Sequence, residues 1–253
     1  MADVSANNLI GIDRDRPIYR TYSRKRFVDL LRSGEDGLRN PSTWEDPFEN
    51  FLMERTLVST DKPGEFGNLK TLAAAWYGQC WTTNEDTDAM WRIYSPDKGG
   101  VKACTTVGKL FDNLCSMPAF SPRLQFFVGR VSYLRRADIE AAIGSMTFTG
   151  LVTGRQGDGF AELLCVKRDA FEHEREVRIL YQHVHGEAGL RYAGGTATYS
   201  LDANVVFNGV VLDPRLMDDE AETARAELSA AGWKGRMPRS ELYDVPEFVI
   251  PIQ

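Results

Sequence analysis

The sequence predicts an α+β domain built on a mixed, largely antiparallel sheet with flanking helices. Three observations carry this expectation. Strand and helix signals follow one another in irregular order, with no internal repeat. No G-x-G-x-x-G follows a strand signal and no G-x-x-x-x-G-K-[ST] occurs, which disfavours a doubly wound dinucleotide fold. The 253 residues are 43% hydrophobic and 26% charged, the balance of a chain able to bury a core. Residues 1–17 read as an N-terminal extension and 18–253 as a single domain.

Residues 18–22 read as the first strand, rich in β-formers. Ser23 can cap the next helix, in which Phe27, Leu30 and Leu31 fall at i, i+3, i+4 and Gly34 supplies the stop. The stretch 40–49 is a turn-rich loop by its prolines and Asn/Asp. Residues 69–77 read as a helix, 79–82 as a short strand, and 87–94 as a short helix with Met90, Ile93 and Tyr94 on one stripe. Residues 101–105 make a predicted strand. Thr106 then caps a helix in which Val107, Leu110, Phe111 and Leu114 keep the helical period. Residues 124–133 form the longest expected strand and 137–143 a helix, while the five glycines of 144–159 mark a loop. Strands are expected at 177–181, 196–200 and 205–212. Asp213-Pro214 opens the last helix, with Asp218, Asp219 and Glu220 near its start and Gly232 after it; Met217, Ala221, Ala224, Leu228 and Ala231 recur at helical spacing.

Thirty Lys and Arg against 36 Asp and Glu leave a formal net charge of −6. That argues against a broadly cationic nucleic-acid coat or membrane-surface protein and leaves room for a local basic cleft. No run of about 18 apolar residues occurs, so no membrane span is expected. The first 17 residues lack the apolar core of a signal peptide, and the expected compartment is the cytoplasm. Cys80, Cys104, Cys115 and Cys165 show no C-x-x-C spacing and read as reduced thiols, mostly packed in the core. With His173, His183 and His185 the only histidines, no metal site is expected; His183 and His185 read as ordinary strand residues.

Two clusters carry candidate chemistry. In the first, residues 167–181, an extended chain from Glu174 would put Glu174, Glu176 and Arg178 on one face and Val177, Ile179 and Tyr181 toward the core. Such a set is either a surface ion-pair ladder or a carboxylate pair held by an arginine, suited to acid/base work or to binding a ribose. Burying it without partners would be costly. The second cluster joins 78–83 to 90–96. Trp81, Met90, Trp91 and Tyr94 are either core, or Trp91 and Tyr94 at i, i+3 form a wall for a flat ring, with Arg92 and Ser95 at its edge. Asp46 either closes a turn while Phe48 anchors the loop, or Asp46 or Glu49 lines a cleft.

Several motifs in fixed order carry a resemblance. These are Tyr19-Arg20, Asn40-Pro41-x-x-Trp44-x-Asp46-Pro47-Phe48-Glu49, Gln79-Cys80-Trp81, Met90-Trp91-x-x-Tyr94-Ser95-Pro96 and Gly100-Val101. Val166-Lys167-Arg168, Phe171-x-His173-Glu174-x-Glu176-x-Arg178 and Asp213-Pro214-Arg215 follow. The pattern resembles the bacterial domain-of-unknown-function family 2971 and, more distantly, the order of elements is similar to ADP-ribosyltransferase folds. The second resemblance implies NAD as substrate and no metal. It implies that Arg20 holds the pyrophosphate, that Tyr94 (or Thr82 and Thr83) shapes the nicotinamide pocket, and that Glu176 is catalytic. Glu174 would be the first carboxylate of the Glu-x-Glu form, Trp91 or Tyr94 would stack on nicotinamide, and Arg178 joins Arg20, Thr82, Trp91 and Tyr94 as a cofactor-binding candidate. The implied function is an NAD-dependent ADP-ribosyltransferase or NAD glycohydrolase, a toxin or phage-defence effector with a protein or nucleic-acid acceptor and a neutralising partner. Lys167-Arg168 with Arg175 then forms either a solvated face or a contact to acceptor phosphates. The alternative is a non-catalytic module that senses a nucleotide or a partner.

Overall fold

The computed structural model describes residues 8–44, 46, 49, 56–58, 66–68, 70, 73–116, 126–144, 159–183 and 190–246. In chain order its first elements are β1 (Leu9–Ile10), β2 (Pro17–Tyr22), α1 (Arg24–Ser33), β3 (Glu35–Arg39), β4 (Thr56–Val58), β5 (Phe66–Asn68) and β6 (Trp76–Thr82). Then come α2 (Asp88–Tyr94), β7 (Val101–Thr106), α3 (Val107–Cys115), β8 (Phe126–Arg130), β9 (Ser132–Leu134), α4 (Arg136–Gly144) and α5 (Gly159–Leu163). The last are β10 (Val166–Arg168), β11 (Glu176–Gln182), β12 (Arg191–Ala193), β13 (Thr196–Ser200), α6 (Ala203–Val206), β14 (Gly209–Leu212) and α7 (Asp218–Ala230).

Among the described residues the main sheet has ten strands. Seven run in the order β1-β8-β11-β6-β2-β7-β14, and β3, β13 and β12 branch from β6. Its pairings are antiparallel except β1 with β8. The mixed, largely antiparallel sheet with flanking helices is therefore the architecture the sequence predicts. β9 and β10 pair in parallel as a separate small sheet, and β4 and β5 form an antiparallel pair. Within residues 8–17, β1 closes one edge of the main sheet and the Asn8 side chain donates to the Phe126 carbonyl (2.5 Å).

β11 shows how the sheet is buried on both faces. Val177, Ile179 and Tyr181 enter the larger core with Trp81, Phe126 and Val128. Leu180 joins a second cluster with Trp76, Phe127 and Phe160. Alternation along one strand thus serves two apolar layers.

Local chemistry sets several boundaries where the sequence predicts them. The Ser23 side chain accepts from the Arg26 N–H at the start of α1, and Gly34 ends it at φ 66°, in the left-handed region. Thr87 and Thr106 cap α2 and α3 in the same way. Other expectations are corrected. Residues 69, 71 and 72 of the expected helix 69–77 lie outside the described residues, but Trp76 and Tyr77 open β6, where they pair with Gln182 and Tyr181. The strand expected at 124–133 breaks at Val131 into β8 and β9. Val205 and Val206 belong to α6, capped by Asp202, so the strand 205–212 shortens to β14. The last helix starts at Asp218, where the Glu220 carboxylate accepts the Met217 N–H (2.9 Å). Phe48 and the interior of the loop 144–159 lie outside the described residues.

Candidate active site

The site forms where the sheet parts. β2 meets β6 at one register pair, Tyr19↔Thr82, and β3 meets β6 at one, Arg39↔Gly78. Between these points the strand edges separate and leave a cleft of ≈ 340 Å³. That lies at the lower end of ordinary ligand pockets. Arg20, Arg26 and Arg39 face it from β2, α1 and β3, Tyr94 from α2 and Glu176 from β11, so its lining is cationic in a chain of net charge −6.

Asp36 organises the cationic end. It accepts from Tyr22 Oη (2.9 Å), Arg26 Nη2 (3.2 Å) and Gln79 Nε2 (2.8 Å). Gln79 in turn accepts from Trp81 Nε1 (2.7 Å) and Tyr199 Oη (3.1 Å). Arg20 Nη1 is 4.0 Å from Asp36 Oδ2 and is buried without a hydrogen-bond partner. A buried guanidinium nitrogen left in that state is unusual, and a ligand acceptor in the cleft would satisfy it.

The other wall carries a buried ion network. Arg178 donates to Glu176 Oε2 through Nε (3.0 Å) and Nη2 (2.6 Å), and through Nη1 to the Leu164 carbonyl (2.6 Å). Its Nη2 also contacts Glu49, and its guanidinium lies 4.3 Å from the Trp44 ring centroid. Lys167 Nζ reaches Glu174 Oε2 (2.6 Å) and Glu176 Oε1 (3.3 Å). Glu174, Glu176 and Arg178 are 7%, 5% and 1% exposed, so the surface-ladder reading is overturned. Gly78 matters here for room: a Cβ on it would stand 2.7 Å from Trp44 Cζ2, displacing the ring stacked on Arg178.

The route by which Glu174 arrives also differs from expectation. It ends a 3-10 helix, Asp169–Glu174, and is not strand residue two before Glu176. Arg175 then adopts φ 45°, which reverses the chain locally and brings both carboxylates to the same lysine. Thr82, paired with Glu176 across β6 and β11, pins this turn by donating Oγ1 to the Glu174 carbonyl (2.6 Å). The Glu176 N–H is donated to Tyr133 Oη (2.7 Å).

Electrostatics separate the two carboxyls. Burial alone would raise Glu176, but the Arg178 and then the Lys167 charge outweigh it and hold it below the usual glutamate range. Glu174 goes up, chiefly by burial and further by the Glu176 charge, against its bond from Lys167. Glu49 is likewise raised by burial, only partly offset by Arg178. Burial, then Glu176, pushes the Cys80 thiol on the cleft wall up to about 12, so it is an inert thiol at neutral pH. Burial also raises Tyr94, whose hydroxyl is hydrogen-bonded to Glu174.

The cleft thus brings together Arg20, Thr82, Tyr94 and Glu176, with Glu174 and Arg178 directly behind Glu176. Thr83 turns aside toward the Arg175 carbonyl. Trp91 does not reach the cleft: it is 1% exposed, donates Nε1 to Asp86 (2.6 Å) and lies under Lys102. The expected stripe on α2 is likewise turned, since Trp91 is its buried residue while Ile93 is exposed and Tyr94, 40% exposed overall, turns its hydroxyl in toward Glu174. Asp46 does close a turn, its carbonyl accepting from the Glu49 N–H (3.1 Å), and neither Asp46 nor Glu49 lines the cleft. They brace the network from behind, Asp46 on Arg168 (2.6 Å) and Glu49 on Arg178. Sequence reasoning missed Lys167 as a carboxylate partner, along with Tyr133, Asp36 and Gln79. Lys167 alone had a signal, its closeness to Glu174. His183 leaves β11 with its ring edge-on to Tyr192. Among the described residues no group of three or more His, Cys, Asp or Glu is arranged to hold a metal, and no helix is long and apolar enough to cross a membrane.

No family model and no curated protein matches the sequence, so the resemblance to family 2971 gains no support. Solved structures of Thermus sp. 2.9 DarT do match at the level of the backbone. The complex with ADP-ribosylated ssDNA overlays with a TM-score of 0.41 at 9% identity, covering 90% of this chain and 96% of that one. The complex with NAD+ gives 0.40 at 10% identity over 90% and 97%. The complex with carba-NAD+ gives 0.40 at 10% over 91% and 98%.

Proposed function

We propose that this chain cleaves the nicotinamide–ribose bond of NAD, as an ADP-ribosyltransferase or an NAD glycohydrolase. The observation that carries the reading is a buried, charge-stabilised Glu176 on the wall of a cleft that also presents three arginines. Cleavage of this bond passes through an oxocarbenium-like state, and a carboxylate accepting from a ribose hydroxyl stabilises the positive charge that develops. Glu176 supplies that carboxylate. Arg20, with its unsatisfied buried nitrogen, makes charge-assisted bonds to the pyrophosphate. Stacking on nicotinamide falls to Tyr94, because Trp91 is enclosed. Thr82 holds the Glu174 backbone and Arg178 orients Glu176.

The C1′–N bond breaks and nicotinamide leaves with its electron pair. A nucleophile on the acceptor, or water, bonds to C1′ and gives its proton to Glu174, whose raised affinity for protons suits a base. The acceptor is a protein or nucleic-acid group, and the biological setting is a toxin or phage-defence effector acting in the cytoplasm. One observation favours a second reading: both Glu176 oxygens are already engaged by Arg178 and Lys167, as in a structural ion network. That is the non-catalytic nucleotide- or partner-binding module.

Nicotinamide release from NAD by the pure protein separates the two. The enzyme reading expects release that falls on the order of 100-fold or more in Glu176→Gln, assayed well below the lowered melting temperature that loss of a buried ion-pair partner brings. If NAD raises the melting temperature without any release, the binding module is right. If NAD does neither, both NAD readings fail.

A further inference from the structure

We infer that Lys167 is a positioning residue for this reaction: its ammonium aligns the Glu174 and Glu176 carboxylates and balances their charge at the Glu176 wall of the cleft. The inference rests on the catalytic reading of Glu176 given above.

The geometry is specific. Lys167 belongs to β10, outside the main sheet, and projects inward until it is 7% exposed, its Nζ over the Phe171 ring at 4.7 Å. Arg178 commits two donors to Glu176 Oε2. Glu176 Oε1, the oxygen Arg178 leaves open, has Lys167 at 3.3 Å. Among the described residues Lys167 is the cation that touches both carboxylates. The same ammonium therefore fixes the spacing of the pair and the charge on Glu176 Oε1.

Charge makes the same point. Glu49, Glu174 and Glu176 face Lys167 and Arg178, three carboxylates against two cations. Without the ammonium, three carboxylates would share one guanidinium, and crowded carboxylates of that kind take up a proton. The other ionisable groups facing the pair are Tyr94, Tyr133, Cys80 and Cys165, all pushed up by burial and so uncharged at neutral pH. None of them can replace a positive charge. A solvated lysine, one sequence-level reading of Lys167-Arg168, would have no such hold on the site.

The test is the pH profile of nicotinamide release by wild type, Lys167→Met and Lys167→Arg. Wild type should show an acid limb set by the base Glu174, above the ordinary glutamate value of about 4.3. Lys167→Met should move that acid limb up by about one pH unit or more and cut kcat about tenfold, with KM changed far less; Lys167→Arg should restore most of both. A purely structural lysine would lower the melting temperature and leave the limb where it was. An unmoved limb in folded Lys167→Met overturns the inference. Should that variant fail to fold, a Lys167→Arg limb no closer to wild type than that of Lys167→Gln overturns it instead. Absence of release from wild type sinks the NAD reading and this inference together, whereas release with an unmoved limb sinks the inference alone.

Discussion

Glu174 and Glu176 share a lysine, yet burial and charge drive them in opposite directions, and stability should record the split. Glu176 is held below about 4.3, so its contribution is present above that value and is lost as pH falls through its folded-state pKa. Glu174 and Glu49 are raised, so their contribution is complete below about 4.3 and is lost as pH rises through their folded-state values. Acidification from neutral should therefore first relieve the two raised groups and only then cost the protein Glu176. Urea midpoints compared between wild type and Glu174→Gln test this: wild type should gain on the variant as pH falls from neutral toward about 4.3, and a constant difference would contradict it. At this scale the sequence was partly legible. Spacing singled out Glu174, Glu176 and Arg178; period two holds for Glu176 and Arg178 on β11 and fails for Glu174, which ends the 3-10 helix. Their juxtaposition needs Arg175 in a left-handed conformation that costs an L-residue about 1–2 kcal/mol. Glu49 was not legible as the partner of Arg178, because it lies 129 positions away along the chain and nothing local joins them.

α2 shows how one short helix is held in place to present Tyr94. Its first turn is capped by Thr87, and its C-terminal carbonyls meet Arg215, whose Nη2 takes the Trp91 (3.0 Å) and Ser95 (2.6 Å) oxygens. Arg215 is itself fixed by Asp213 (2.7 Å), a fully buried carboxylate that also accepts from Ser95 Oγ (2.6 Å). Removing the arginine strands a buried charge and two carbonyls. Arg215→Ala should cost about 3 kcal/mol in chemical denaturation and weaken nicotinamide release through Tyr94; a loss well under about 1 kcal/mol would show that the clamp is dispensable. This arrangement explains why Asp213-Pro214 does not open a helix: Asp213 is occupied as an anchor five residues before α7 begins. Helix ends written by a single cap, such as Ser23 and Thr106, could be read from sequence. Trp76 and Val205 could not, since distant strand partners and Asp202 decided their state.

Across the whole molecule the two apolar layers hold a broad sheet rigid, but they do so unevenly. β11 is hydrogen-bonded on both sides, to β6 and β8, over most of its length. Along the seam, β6 touches β2 and β3 at one pair each, and its residues from Gly78 to Thr82 line the cleft. The fold class was legible from the order of elements; this seam was not, because it depends on where strands far apart in sequence stop pairing. The parting has a consequence for exchange with solvent. Amide hydrogens of residues 20–22 and 79–81 that point into the seam should trade for deuterium faster than those of β11, through small openings rather than global unfolding. NAD lying across the gap would rivet the two edges, slowing both together while leaving β8 and β14 little changed. Protection that rose on one edge alone would mean the dinucleotide sits on one flank and leaves the seam free to breathe.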